Sequence, residues 1–192
     1  MARQKVMFFL AGGLLTSAAC AAQAAEVGQV ARQVNALNQQ MEQLSQQAIK
    51  LKQQNALNAK STTGVYLLPG SQTPAQLKSQ LGMLQMSLTH LTAVANGARA
   101  TLNIQGDNSG PLPAFTAQVV WGQITGTTDS YDEVNTHSLT VSAPASILVP
   151  SDVAIPLDMP GIQPGQLGFV RIHAIQPTDA NWQAPPRSPF SQ

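Results

Sequence analysis

From Val27 onward the apolar residues step by three and four without a break: Val27, Val30, Val34, Leu37, Met41, Leu44, Ala48 and Leu51. A heptad seam of this kind commits the segment to a helix and leaves one narrow apolar stripe in need of a partner. Val27, Val34, Met41 and Ala48 take the a positions; Val30, Leu37, Leu44 and Leu51 take the d positions. The flanking positions hold Ala31, Gln33, Asn38, Gln40, Ser45, Gln47, Lys52 and Gln54, so almost no charge code selects a foreign helix. Self-association through residues 27–51 is the simplest consequence. A solvated spacer, or packing of the stripe on the chain's own second domain, are the alternatives. The seam fades at Asn55 and Asn58.

Ahead of this helix, Arg3 and Lys5 precede an apolar run from Val6 to Leu15, the pattern of an export signal. The run is shorter than the roughly 20 residues a membrane span needs. Two cleavage sites compete. Ala22-Gln23-Ala24 is a small-x-small site that would remove residues 1–24. Ser17-Ala18-Ala19-Cys20 reads as a lipobox that would remove residues 1–19 and leave Cys20, the single cysteine, to be acylated on its thiol and amine. Two alanines before Cys20 favour the lipobox, while Ser17 stands where a bulkier aliphatic residue is usual. Several acyl chains anchor stably where one does not. Ala21 lacks the acidic character that retains lipoproteins at the inner membrane, so outer-membrane sorting is the expectation.

After Lys60 the punctuation changes to Ser61-Thr62-Thr63-Gly64, Pro69-Gly70 and Thr73-Pro74, which break a helix. A domain boundary is predicted here, between a segment 20–60 and a β domain 61–176. Val65–Leu68 can form a short edge strand. Leu84, Met86 and Leu88 alternate with polar residues, the period of a half-buried strand, with a helix over Pro74–Val94 as the alternative. Asn96-Gly97 suits a tight hairpin turn, followed by alternating Ala100, Leu102 and Ile104. Ala114–Ile124 reads as a core strand, Thr125–Asn135 as a polar loop, and Ser138–Val141, Val153–Leu157 and Leu167–Ile175 as further strands. Six or seven strands in about 110 residues suggest an immunoglobulin-like β-sandwich. The predicted fold class is therefore α+β, a coiled-coil-like helix followed by an all-β sandwich, with a flexible proline-rich tail over 177–192.

The phrases Asn55-Ala56-Leu57-Asn58, Gly64-Val65-Tyr66-Leu67-Leu68-Pro69, Pro111-Leu112-Pro113-Ala114-Phe115, Trp121-Gly122-Gln123 and Gly168-Phe169-Val170-Arg171-Ile172-His173 together resemble the YajI-like family of enterobacterial envelope lipoproteins. The resemblance covers residues 55–177. It implies a lipidated envelope protein with a helical stalk and a β domain, strengthens the lipobox reading of Cys20, and brings no catalytic motif with it.

Ten Lys and Arg against nine Asp and Glu give a net charge of +1, without the basic face that nucleic acid requires. One cysteine forms neither an intramolecular disulfide nor a cysteine zinc site. His90, His137 and His173 are scattered, and Asp129, Asp132 and Glu133 form an acidic cluster without the calcium-loop pattern. They read as strand residues and a solvated loop. Trp121 reads as core and Arg171 as the polar face of a strand. No nucleophile elbow, phosphate loop or dinucleotide fingerprint occurs. The expectation is a non-enzymatic lipoprotein of a Gram-negative envelope without metal or cofactor. A lipid-held membrane, a second copy of itself and an unidentified envelope protein would be its partners. Alternatives are a soluble periplasmic subunit of a secretion or pilus assembly, and a ligand- or metal-binding β domain.

Overall fold

The structure, a computed structural model, describes residues 17–182 apart from 72, 108–109, 128–129 and 147–150, with helix side chains described from residue 28 onward. The signal segment up to residue 16, the side chains of Cys20 and Val27, and the tail from residue 183 lie outside the described residues. Among the described residues one helix, α1 (Ser17–Lys60), precedes eight strands: β1 (Gly64–Leu67), β2 (Ala75–Ser79), β3 (Gly82–Val94), β4 (Gly97–Gly106), β5 (Phe115–Gly126), β6 (Tyr131–Ala143), β7 (Asp152–Pro160) and β8 (Phe169–Pro177). They form two four-stranded sheets with neighbours in the orders β1-β8-β5-β6 and β2-β3-β4-β7, and every pairing is antiparallel. The fold is α+β, with one helix and a β-sandwich.

Alternation builds the interior. On β4, Ala98, Ala100, Leu102 and Ile104 are buried, and on β7, Val153, Ile155, Leu157 and Met159 are buried between exposed Ala154, Pro156 and Asp158. Phe115, Val119 and Trp121 of β5 and Val170 and Ile172 of β8 face them from the other sheet. Each such large side chain contributes about 1.5–3 kcal/mol by leaving water.

Three register shifts interrupt the ladders, in β3 after Thr89, in β6 between Val134 and His137, and in β8 between His173 and Gln176. Each inserts one extra residue, and each contains a residue with positive φ: His90 at 53°, Asn135 at 51° and Ala174 at 49°. These are β-bulges with a left-handed residue, a conformation in which glycine is unstrained and alanine is not.

The structure differs from the sequence reading in three places. The polar loop over Thr125–Asn135 is instead the tip of the β5–β6 hairpin, with strand resuming at Tyr131. An edge strand has no inward alternation to advertise it, and Asn135 to Thr140 are all exposed. Second, β2 is an additional strand carrying only Ala75 and Leu77 as apolar residues. Third, the β3–β4 turn is formed by Ala95 and Asn96, while Gly97 already pairs with Val94 as the first residue of β4. A Cβ on Gly97 would lie 2.3 Å from the Met159 carbonyl oxygen, so the glycine serves the close approach of β7. The chain forms two compact units, one up to Ser45 and one from Gln46 onward. Gln54 and Leu57 are buried with the strands that follow.

Candidate functional site

The strand β1 is buried on both faces. Val65 and Leu67 join the interior, whereas Tyr66 and Leu68 join a second apolar cluster with Leu57 of α1 and Phe169 of β8. Val120, Ile124 and Tyr131, partly buried, complete this cluster on the outward face of β1-β8-β5-β6. A sheet with apolar residues on its outer face needs a cover, and the last turns of α1 supply one.

They also satisfy the edge of β1. Asn58 donates from Nδ2 to the Tyr66 carbonyl at 3.0 Å and accepts the Tyr66 N–H on Oδ1 at 2.6 Å. Gln54 accepts the Leu68 N–H on Oε1 at 2.9 Å and donates from Nε2 to the Thr73 carbonyl at 3.1 Å. Two side-chain amides thus occupy the place of a neighbouring strand, since each offers a donor and an acceptor as a peptide group does. Asn58, one of the two asparagines at which the heptad seam fades, and Gln54 beside the other fasten the helix to the sheet.

Beside the apolar cluster lies a charged centre. Arg171 Nη2 pairs with Glu133 Oε2 at 3.2 Å, the two side chains 24% and 20% exposed. The Tyr66 hydroxyl donates to Glu133 Oε1, the Tyr131 hydroxyl donates to that of Tyr66 at 3.4 Å, and the Arg171 guanidinium stands 5.7 Å from the Tyr66 ring centre. Burial, and then the bond to Glu133, pushes the Tyr66 phenol well above its ordinary range. Burial, and then the charge of Arg171, holds His173 below the ordinary histidine range, with Glu133 acting in the opposite direction. Glu133 and Arg171 therefore belong to one half-buried network, not to a solvated loop and a solvated strand face. Their meeting depends on the β6 and β8 registers relative to β5, which local sequence does not display.

A cleft of about 460 Å³ opens at one end of this face. It lies between α1 (Lys50, Gln53, Leu57), the end of β1 (Leu68, Pro69), the β5–β6 hairpin and the loop before β8. Its aliphatic lining includes Leu57, Leu68, Ile124 and Leu167, and of the glycines that line it a Cβ on Gly126 or Gly168 would meet backbone at 2.4–2.5 Å while one on Gly165 would meet nothing within 4 Å. Lys50 Nζ donates to the Pro69 carbonyl at 2.9 Å. The Leu68–Ser71 turn is closed by the Ser71 N–H on the Leu68 carbonyl at 3.0 Å, with Gly70 at φ 77°. A Cβ on Gly70 would lie 2.8 Å from Lys50 Nζ, so this turn both accepts the ammonium and makes room for it.

The other candidates stand apart from the cleft. Trp121 is buried in the core with its Nε1 unpartnered, and His137 stacks on it at 5.8 Å. His90 Nδ1 lies 3.0 Å from the Thr89 hydroxyl. Among the described residues no three His, Cys, Asp or Glu come together as a metal site, and no helix is long and apolar enough to cross a membrane. Along the seam, Val30, Val34, Leu37, Met41 and Leu44 are 49–64% exposed, Ala48 is exposed and Leu51 half-buried.

Comparison with known proteins places the chain. Residues 20–181 match the family described as "Protein of unknown function (DUF3251)", and the chain belongs to that family. It is 54% identical over 168 residues to the uncharacterized lipoprotein YajI of Escherichia coli (strain K12), an alignment covering 88% of this chain and 93% of that one. A solution NMR structure of the uncharacterized lipoprotein YajI from Escherichia coli superposes with a TM-score of 0.67 at 56% identity, covering 69% of this chain and 79% of that chain.

Proposed function

We propose that the mature chain begins at Cys20, is acylated there, and serves as a non-enzymatic lipoprotein of the Gram-negative outer membrane. Its β-sandwich would be an interaction domain facing the periplasm, and α1 the spacer between anchor and domain. The observation that carries this reading is the start of the family match at Cys20, where a lipobox would place the mature N-terminus, in a chain 54% identical to a protein named as a lipoprotein. Labelling with radioactive palmitate in a Gram-negative host tests it. Label should enter the wild type, precursor should accumulate under globomycin, and Cys20→Ser should take up no label and stay uncleaved with or without the drug. Processing that ignores globomycin, with cleavage after Ala24, would replace the anchored reading by a soluble one.

The exposed stripe supports a finer statement, that copies associate through Val27, Val30, Val34, Leu37, Met41, Leu44, Ala48 and Leu51. β-branched valines at a with leucines at d suit a parallel pair. The same stripe also favours a second reading, docking on the helices of a larger secretion or pilus assembly. Sedimentation separates the two: a concentration-dependent oligomer lost in Leu37→Lys supports self-association, and a monomer at all concentrations supports the foreign partner.

A further inference from the structure

We propose that the cleft beside Lys50 binds a small anionic amphiphile, one negatively charged head on an aliphatic body. The inference deepens the interaction-domain reading by naming what the domain holds. It is independent of acylation, because every lining residue lies at or beyond Lys50. Three observations converge. The cleft, at about 460 Å³, falls in the range of roughly 300–1,000 Å³ typical of small-ligand sites. Leu57, Leu68, Ile124 and Leu167 give the lining an aliphatic part that suits a hydrocarbon body. Lys50 is the single charged residue among its described lining residues, with no carboxylate beside it there, so the complementary ligand charge is negative. An ammonium has three donors. The Pro69 carbonyl takes one and thereby positions the group, leaving donors to meet a carboxylate or a phosphate oxygen. Gln53 and Thr127 lie on the same lining and add neutral polar groups.

Gly165 supplies a direct way to close the cleft. A Cβ built there meets nothing within 4 Å, and its φ is not in the positive region, so Gly165→Leu fills space without straining the fold. The experiment is an NMR titration of the isotope-labelled chain from residue 20, carrying Cys20→Ser to keep it free of acyl groups. The probes are decanoate, decyl phosphate and decanol, each below its aggregation limit. Both anions should shift the amides of Gly126, Gly165 and Gly168 saturably, and decanol about tenfold more weakly. Lys50→Met should reduce the anions to the level of decanol, Lys50→Arg should restore them, and Gly165→Leu should abolish all three with an unchanged unfolding midpoint. The better of the two anions identifies a carboxylate or a phosphate as the natural head. Decanol binding as tightly as the anions, indifference to Lys50→Met or Gly165→Leu, shifts confined to Val30–Leu44, or no saturable binding would each overturn the proposal. None of these results touches Cys20, so failure here leaves the acylation reading standing.

Discussion

On the outward face of β2-β3-β4-β7 stand Gln76, Lys78, Gln85, Arg99, Gln105 and Asp158, all exposed, whereas on the outward face of β1-β8-β5-β6 stand Tyr66, Val120, Ile124, Phe169 and Arg171, all buried or partly so. The first face meets water directly and its strands alternate cleanly. The second carries a second apolar layer beneath the end of α1, so β1 is buried on both sides. Both faces hold a cross-strand ion pair, Arg99 with Asp158 and Arg171 with Glu133. The same chemistry thus sits in two environments, and stability should depend on it in only one.

Phe169 gives the sharpest contrast. It is fully buried in the outer layer, so Phe169→Ala should cost about 3–5 kcal/mol by lost transfer and cavity terms. Gln85→Ala on the exposed face should stay within about 0.5 kcal/mol. Urea denaturation of both variants tests the pair, and a mild Phe169→Ala would mean that the outer layer is not a true second core.

Glu133→Ala comes next. It strips Arg171 of its partner and Tyr66 of its acceptor while Arg171 Nε is already buried without one. Leaving such groups unpaired costs about 2–3 kcal/mol, and Glu133→Gln, which keeps the acceptor, should recover part of it. Asn58→Ala should cost about 1–2 kcal/mol by exposing the edge of β1, both of whose Tyr66 backbone bonds run to that side chain. Hydrogen exchange at the Tyr66 amide should accelerate in that variant and in no substitution on the other face.

The two faces were not equally legible. On β4 and β7 every second residue is apolar, and the alternation gave both strands and burial directly. On β1, where all four residues are buried, the sequence Gly-Val-Tyr-Leu reads as a strand without revealing that it has two covered faces. Gln54 and Asn58 look like solvated helix positions because an amide that replaces a strand neighbour has no local signature. Glu133 looks like a loop residue in sequence for a related reason: its partners, Arg171 and Tyr66, lie 38 and 67 residues away, and only sheet registers bring them together. The cleft depends on four separate segments and on glycines whose spacing in sequence carries no meaning. The helix itself is the reverse case, legible in sequence because its period is entirely local.

Alkaline titration separates the faces by a smaller effect. The folded Tyr66 phenol titrates above its unfolded value of 10.0, so its contribution to stability is fully present below about pH 10 and is lost as pH rises beyond it. The slope is at most about 1.4 kcal/mol per pH unit. Stability should therefore fall more steeply above pH 10 in the wild type than in Tyr66→Phe. Equal slopes would show that the phenol ionises as freely in the fold as outside it.

The smallest effect belongs to the exposed pair. Arg99 Nε bonds Asp158 Oδ1 across β4 and β7, holding the carboxyl below its usual range and raising the guanidinium. The side chains are 57% and 62% exposed, so water and salt screen the attraction and ordering two long side chains offsets much of what remains. Asp158→Asn should leave the unfolding midpoint within measurement scatter at physiological salt, with any difference vanishing as salt is raised. A midpoint shift comparable to that of Glu133→Gln would mean that burial does not set the energetic difference between the two faces, and that strand pairing at β4–β7 depends on this charge contact itself.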